Sequence, residues 1–501
     1  MKKFIPFFIP GILFATNYYV ANWGNDQNNG RSWDSAFATT QRAANTVAIG
    51  DSVFVANGDY VGFDLRRGGS QTLPIVFKAF GDSVRITRRN GVTPDGVNVE
   101  NANWVVIDGF KLIGIERAGI RVAVAQHVTV RNNVCDRNGR WGIFTGFADY
   151  AIIERNECKN SQQEHGIYFS NSADHPIIRY NKSHHNNSCG IHMNGDSTMG
   201  GDGLITDATV EGNIVYENGV AGGSGVNCDG VAESKFFNNL LYMNHASGIS
   251  LYKIDASAGS YNNKIYNNTI VNASNGRWCL NINTQSRGDT VYNNILINLH
   301  PSRGSIVIDS SSIPGYHSDY NIVINRLSNN GGNTVITLAA WQQLGYDRHS
   351  MLAEPLDSIF RNWSIGDYHL RQNSQAIDSG TSRVLPIVRY DLDSIMRPQG
   401  NGFDIGAYEH IPTSVYDEYT NRIKKPIPLI LCTANFVDFI NIENGSRVRI
   451  YNLAGSRVKD FKINSTDDSR WDTKDVASGI YLYTVELREK ENLAGKIIII
   501  K

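Results

Sequence analysis

One residue type recurs at a near-constant interval through the middle of the 501-residue chain. Asparagine marks RNNVC at Asn133, ERNECKN at Asn156, RYNKS at Asn181, EGNIVY at Asn213, FNNLLY at Asn239, YNNTIV at Asn268, YNNILI at Asn294 and DYNIVI at Asn321. The separations run from 23 to 32 residues, inside the window that signals a stacked-repeat architecture. Each repeat holds short apolar runs split by Gly or Asn turns, with no helical spacing. A unit this small cannot bury its own apolar side chains, so neighbouring coils must do so by stacking. Asn at one corner of every coil suits that plan. It tolerates the left-handed backbone conformation, and stacked amides hydrogen-bond along the axis. The spacing therefore predicts an all-β solenoid with repeated coils over residues 63–330.

The flanks read differently. Residues 1–16 join a basic start (Lys2, Lys3) to a short apolar run ending near Ala15, the pattern of an export signal and too short to span a bilayer. SAFATTQRAANTVAIGD has helical spacing, with Ser35 as the expected N-cap and Gly50 as the stop. One helix before a run of strands is expected to cap the first coil and protect its edge. The solenoid domain is assigned to residues 17–410, with 347–410 as a segment sealing its last coil. Residues 411–428 hold three prolines and read as a linker, and 429–501 alternate apolar and polar like a small β-sandwich.

Net charge is −1, so no global field favours nucleic acid or an anionic membrane, and no run is apolar enough for a membrane span. Six cysteines are too few for a disulfide scaffold. Cys135 and Cys158 each follow an aligned Asn by two residues, which predicts stacked thiols or a disulfide.

Five segments carry the chemistry: GIYFSNS from Gly166, GIHMNGD from Gly190, GVNCDGV from Gly225, GISLYKI from Gly248 and CLNINTQ from Cys279. All alternate with period two, as half-buried strands do. Aligned on their first residue, they turn Ile167, Ile191, Val226, Ile249 and Leu280 inward. The outer columns become Tyr168, His192, Asn227, Ser250, Asn281 and Ser170, Asn194, Asp229, Tyr252, Asn283. Amides and carboxylates match sugar hydroxyls, and aromatic rings match sugar faces. A groove several coils long suits a polymer. The substrate-binding candidates are Asn194, Asn227, Asp229, Tyr168 and Asn283, with Arg277, His245 and Glu164 at the rim. The long insert GDSTMGGDGLITD is expected to overhang this face, and Asp196, Asp202 and Asp229 are its candidate ligands for Ca2+.

The repeat size and Asn corners resemble those of right-handed parallel β-helix proteins. The lid helix, RRGGSQTLPIVFKAFGD (66–82) and the coils resemble the polysaccharide lyases of that fold, pectate and alginate lyases included. The resemblance implies β-elimination on a uronic acid polymer, which needs carboxylate neutralisation, a base and an acid. Lys253 or His192 is then the candidate base and Tyr252 the proton donor. Strict alternation points Lys253 inward unless its strand ends at Tyr252. Two alternatives are a glycoside hydrolase or epimerase, with Asp229 and Asp196 as the hydrolase's carboxyl pair, and a non-catalytic glycan-binding or adhesive surface protein. DYHLRQNSQAIDSGT and DIGAYEH resemble a closing segment of secreted bacterial β-helix proteins. VRIYNLAGSRV and VASGIYLYTVEL resemble the C-terminal sorting domain of the type IX secretion system, which implies the secretion machinery as a partner and a secreted or cell-surface location.

Overall fold

The computed structural model describes residues 15–412 and most of 429–499. The expected export signal and linker fall almost wholly outside the described residues. Two compact units separate at His410 and Ile411.

The first unit is a parallel β-solenoid. Each coil contributes two short strands to a 22-stranded sheet and one to an 11-stranded sheet. Neighbouring coils pair in register: Ile152 with Ile177, Val134 with Glu157, and Ile167 with Ile191. The core is a stack of inward Ile, Val, Leu and Phe side chains from all three strand rows. Cys135 and Cys158 pair across coils as expected, as buried free thiols.

The eight marker asparagines are all buried and form one continuous ladder. From Asn156 onward each side-chain oxygen accepts the backbone N–H and the amide of the Asn one coil earlier, at 2.9–3.1 Å. Each amide also donates to a carbonyl of the preceding coil, as Asn239 does to Val210 at 2.9 Å. The left-handed conformation sits one residue earlier than expected. Asn132, Arg155, Tyr180, Gly212, Asn238, Asn267, Asn293 and Tyr320 carry φ between 49° and 61°, whereas the ladder residues do not. The kink before each Asn turns its side chain inward, where the amide replaces hydrogen bonds that the bending backbone cannot make with itself. A second ladder at the next corner joins Asn186, Asn218 and Asn244.

The ends differ from expectation in three ways. The N-terminal helix spans Thr40–Thr46, and its N-cap is Thr39, whose hydroxyl accepts from the Arg42 N–H; Ser35 lies in the preceding loop and the helix stops at Val47. Thr39 is favoured because Asp26 accepts its N–H and hydroxyl, fixing it for capping. The last coil is sealed by a helix, Leu338–Gln343, which buries Trp341 against Leu327, Ile308 and Tyr316. There Asp347 ends the ladder, accepting from Asn321 at 2.8 Å and from the Trp341 indole at 2.8 Å. The segment near 367–410 lies instead along the flank. Asn238, Asn267 and Asn293 donate to Tyr390, Asp404 and Thr381 carbonyls, while Tyr368, Leu370 and Ile405 cover outward Leu240, Val271 and Ile295. Its charged residues are spent internally: Arg397 and Glu409 form a fully buried ion pair at 2.8 Å.

The second unit has a three-stranded and a four-stranded antiparallel sheet. Val437, Phe439 and Trp471 of the first share one core with Val448, Ile450, Val485 and Ile497 of the second.

Replacing Asn239 by Ala should strip an acceptor from the Asn213 N–H and amide and lower stability by about 2–4 kcal/mol in urea unfolding. A second expectation concerns Asp289, which ends the Ser234–Asn263 row. Its Oδ1 accepts from Asn263 at 2.8 Å, its Oδ2 is enclosed without a partner, and burial pushes the carboxyl up to about 8. The folded state thus keeps a proton that the unfolded chain releases near pH 4. Stability contributed by this group is full below that pH and is lost as pH rises through 8. Asp289→Asn should flatten this slope, raising the thermal midpoint most at pH 9.

Candidate functional site

The outer face of the 11-stranded sheet exists because the strands start with small residues. A Cβ at Gly166 would lie 2.1 Å from the Ser183 hydroxyl, and one at Gly190 2.3 Å from a Val215 methyl. The coils can approach only there, and the residues two positions on then stand in register as Arg121, Phe144, Tyr168, His192, Asn227, Ser250 and Asn281.

The upstream end is a cleft of about 260 Å³ lined by Arg121, Trp141, Phe144, Phe147 and Met199. Trp141 and Phe144 stack at 4.6 Å. Met199 belongs to the long insert, a short 3-10 turn over Ser197–Met199 that overhangs the face as the sequence suggests. Ser197 and Ser172 hold it by bonds to the Asp255 and Gly200 carbonyls. Arg121 is engaged by Asn98 and Glu100, so this wall is charged but internally neutralised. Neither Trp141 nor Arg121 figured among the candidates. The signal available was Trp141 immediately before an aligned Gly.

In the middle stands a histidine pair. The Cys189 N–H donates to His165 Nδ1 at 3.2 Å, so the His165 proton lies on Nε2, 3.0 Å from His192 Nδ1. His165 is neutral, pushed down to about 3 chiefly by burial. His192 therefore carries its proton on Nε2, an atom that is buried with no partner. Its ring stacks on Tyr168 at 5.0 Å, and burial holds its pKa well below the usual histidine range. This corrects the reading of His192 as a base: one nitrogen is already an acceptor in use, and the other is a sealed donor. His165 is what fixes that tautomer. His165, Cys189 and His192 also form the one group among the described residues whose three ligand atoms lie within 4.8 Å. A metal there would have to displace the Nε2 proton of His165 onto a nitrogen that already accepts a backbone N–H. Burial also pushes the Cys189 thiol up to about 12.

Downstream lie Tyr252 and Lys253. The strand Ile249–Tyr252 ends at Tyr252, so Lys253 turns at the corner rather than into the core. Its Nζ donates to the Ser257 carbonyl at 2.8 Å. The Tyr252 hydroxyl accepts from the Asn227 amide at 2.5 Å, and burial raises its pKa, keeping it protonated. Asn194 donates to the Tyr168 hydroxyl at 3.3 Å, and Asn283 to the Asn281 oxygen at 3.3 Å. Arg277 is exposed and its guanidinium has no partner among the described residues. His245 is placed elsewhere. It bonds Asn275 at 2.9 Å and lines a different cleft of about 610 Å³, with His185, Asn187 and Glu217, at the corner leading into these strands.

Asp229 is also reassigned. It is 2% exposed, and its two oxygens accept the N–H groups of Ile254, Asp255 and Ala256 at 2.8, 2.8 and 3.3 Å. It caps the turn after Tyr252 through these three bonds. Asp196 caps the insert turn through the Thr198 N–H, and Asp202 accepts from the Leu204 N–H. Asp196, Asp202 and Asp229 are not among the described groups whose ligand atoms lie within 4.8 Å of one another.

Residues 84–202 match the family model of a right handed beta helix region, and 434–501 match that of a secretion system C-terminal sorting domain. The chain is thus a right-handed β-solenoid followed by a sorting domain, which implies export and a secreted or cell-surface location. Among solved structures, that of the pectate lyase Pel9A is similar with a TM-score of 0.55 at 16% identity, covering 80% of this chain and 98% of that one. A rhamnogalacturonan lyase has a TM-score of 0.46 at 13% identity, over 81% and 98% of the two chains. An alginate lyase from Paenibacillus sp. str. FPU-7 has 0.43 at 16%, over 58% and 95%. No curated protein matches the chain in sequence. At these identities the likeness is one of fold. No helix among the described residues is long and apolar enough to cross a membrane.

Substituting Asp229 by Ala should leave the N–H groups of Ile254, Asp255 and Ala256 without their acceptor. Faster hydrogen exchange confined to residues 254–256 and a stability loss of about 1–3 kcal/mol are expected.

Proposed function

We propose that the protein is a secreted polysaccharide lyase that cleaves a uronic-acid-containing polymer by β-elimination at the Asn227–Tyr252–Lys253 cluster. The observation that carries this reading is the hydrogen bond from Asn227 to the Tyr252 hydroxyl, beside a lysine at the strand end. Tyr252 uses its lone pair to accept from Asn227, so its own O–H is available to a third group, and it keeps that proton at neutral pH. It serves as the acid that protonates the departing glycosidic oxygen. Lys253 serves as the base that removes the proton next to the sugar carboxylate; it has to give up its own ammonium proton first. Asn281 and Asn283, one coil on, hydrogen-bond the carboxylate and stabilise the enolate-like charge. Trp141, Phe144 and Tyr168 offer apolar ring faces to flanking sugars. The chemistry named by the pectate lyase of similar fold is consistent with this assignment.

The hydrolase alternative loses support. Inversion needs two carboxyl groups free to act across the scissile bond, and Asp229 is committed to three backbone N–H groups.

Incubated with pectate and alginate, the protein should produce the ultraviolet absorbance of unsaturated uronate. Tyr252→Phe and Lys253→Ala should each lower kcat by about 10²–10⁴ without changing the melting temperature. New reducing ends without that absorbance would identify a hydrolase. Tight glycan retention without either product would identify a binding module.

A further inference from the structure

The charge pattern along the solenoid changes character between its early and late coils. Early arginines are ion-paired: Arg85 with Asp59, Arg117 with Asp95, Arg121 with Glu100, Arg140 with Glu164 and Arg179 with Glu154. Among the described residues, Arg277, Arg303 and Arg326 have no carboxylate within 4.0 Å. Leu280 pairs with Ile306, so Arg277 and Arg303 occupy the same position on successive coils, about 4.8 Å apart along the axis. Like charges on adjacent coils repel, and no carboxylate among the described residues pairs with either.

The heads are held without being neutralised. Arg303 donates to the Gly276 carbonyl at 3.3 Å, and Arg326 to the Arg303 carbonyl at 2.9 Å and the His300 carbonyl at 2.7 Å. Carbonyls fix direction and leave the full charge in place. Nearby His300 registers that field: desolvation and then Arg303 and Arg326 hold its pKa below the usual histidine range. Arg277 makes no such bond and is exposed.

The position of this pair relative to the strands matters. Residues just before an aligned strand reach its outer column, as Trp141 reaches Phe144 at 4.6 Å and Ser224 reaches Ser250 at 2.8 Å. Arg277 and Arg303 stand two residues before the aligned starts Cys279 and Ser305. Arg277 precedes Asn281 on the coil next to that of Tyr252.

We propose that Arg277 and Arg303 form a subsite that reads the carboxylates of an anionic glycan chain one to two sugar residues beyond Tyr252. Arg326 positions Arg303 by holding its carbonyl. This subsite rests on the functional reading above and gives it a polarity: the anionic chain is gripped at the late-coil end, while the early end, with its paired arginines and aromatic cleft, contacts sugar faces. A planar guanidinium suits this role because it binds a carboxylate through two parallel N–H bonds.

The test uses the full chain, with binding and turnover measured on sodium polygalacturonate, sodium alginate and neutral dextran across a salt series. Arg277→Gln should raise KM for the acidic substrate about tenfold, leave kcat within about twofold, and flatten the salt dependence. Arg303→Lys should fall between wild type and Arg303→Gln, because the charge survives and the fork does not. Arg85→Gln, in an ion pair on an early coil, should change nothing. Thermal melting of each variant separates lost binding from lost folding. If wild type binds an acidic polymer and Arg277→Gln matches it in KM and salt slope, the subsite is overturned and the lyase reading stands. Binding or turnover of the neutral polymer alone overturns the anionic substrate, and absence of both for every polymer overturns the subsite and the lyase reading together.

Discussion

The buried asparagine amide is the interaction on which the solenoid depends. At each corner the backbone turns away from its in-register ladder, leaving N–H and carbonyl groups inside the protein that cost about 1–3 kcal/mol each if unmet. One Asn side chain meets two of these needs and adds two amide–amide bonds. It accepts a backbone N–H and a side-chain amide from the coil before, donates to the coil after, and donates again to a carbonyl behind it. Gln would place its amide one methylene too far, and Asp would bury a charge. Where Asp does appear, at Asp289 and Asp347, it ends a row, and burial raises its pKa in both.

That corner geometry also governs what the solenoid can carry outside. The residue before each ladder Asn is held left-handed and points outward, so its identity is free to serve a neighbour. At Asn238, Asn267 and Asn293 it is again Asn, and these are the side chains that grip the 367–410 flank. The strands just after them carry outward Leu240, Val271 and Ile295, which the flank covers. The doubled NN in FNNLLY, YNNTIV and YNNILI, with its consecutive apolar residues, encodes both a corner and a docking strip.

The candidate site follows a similar division. Small residues at the strand starts bring coils close enough for one column to act as a surface. Residues just before those starts then decide what that surface does. Trp141 builds an aromatic wall, His165 fixes a tautomer, and Arg277 and Arg303 leave charge unpaired at the far end. Buried groups in the same columns are mostly committed: Asp229 to a turn, His192 to its histidine partner. The residues left with chemistry to offer are Tyr252, Lys253 and the amides of Asn281 and Asn283.

Periodicity carried much of this in the sequence. The Asn spacing, the aligned small residues and the period-two alternation implied coils, register and an outer face, because each is a local backbone demand repeated in every turn. Tyr168, His192, Asn227 and Tyr252 were correctly assigned to one face for that reason. The direction of hydrogen bonds within that face was not legible. Asp229 has the same residue type and column whether it caps a turn or binds a ligand, and only the fold brings the N–H groups of residues 254–256 onto its oxygens. His192 reads as a free surface imidazole until His165, 27 positions away, occupies its Nδ1. The left-handed residue, the helix cap and the flanking role of 367–410 were likewise decided by which segments meet across coils. The sequence by itself determined the repeating backbone and the face it presents. Tertiary structure alone decided which polar groups on that face are already satisfied, because a side chain's availability depends on partners that lie a full coil away.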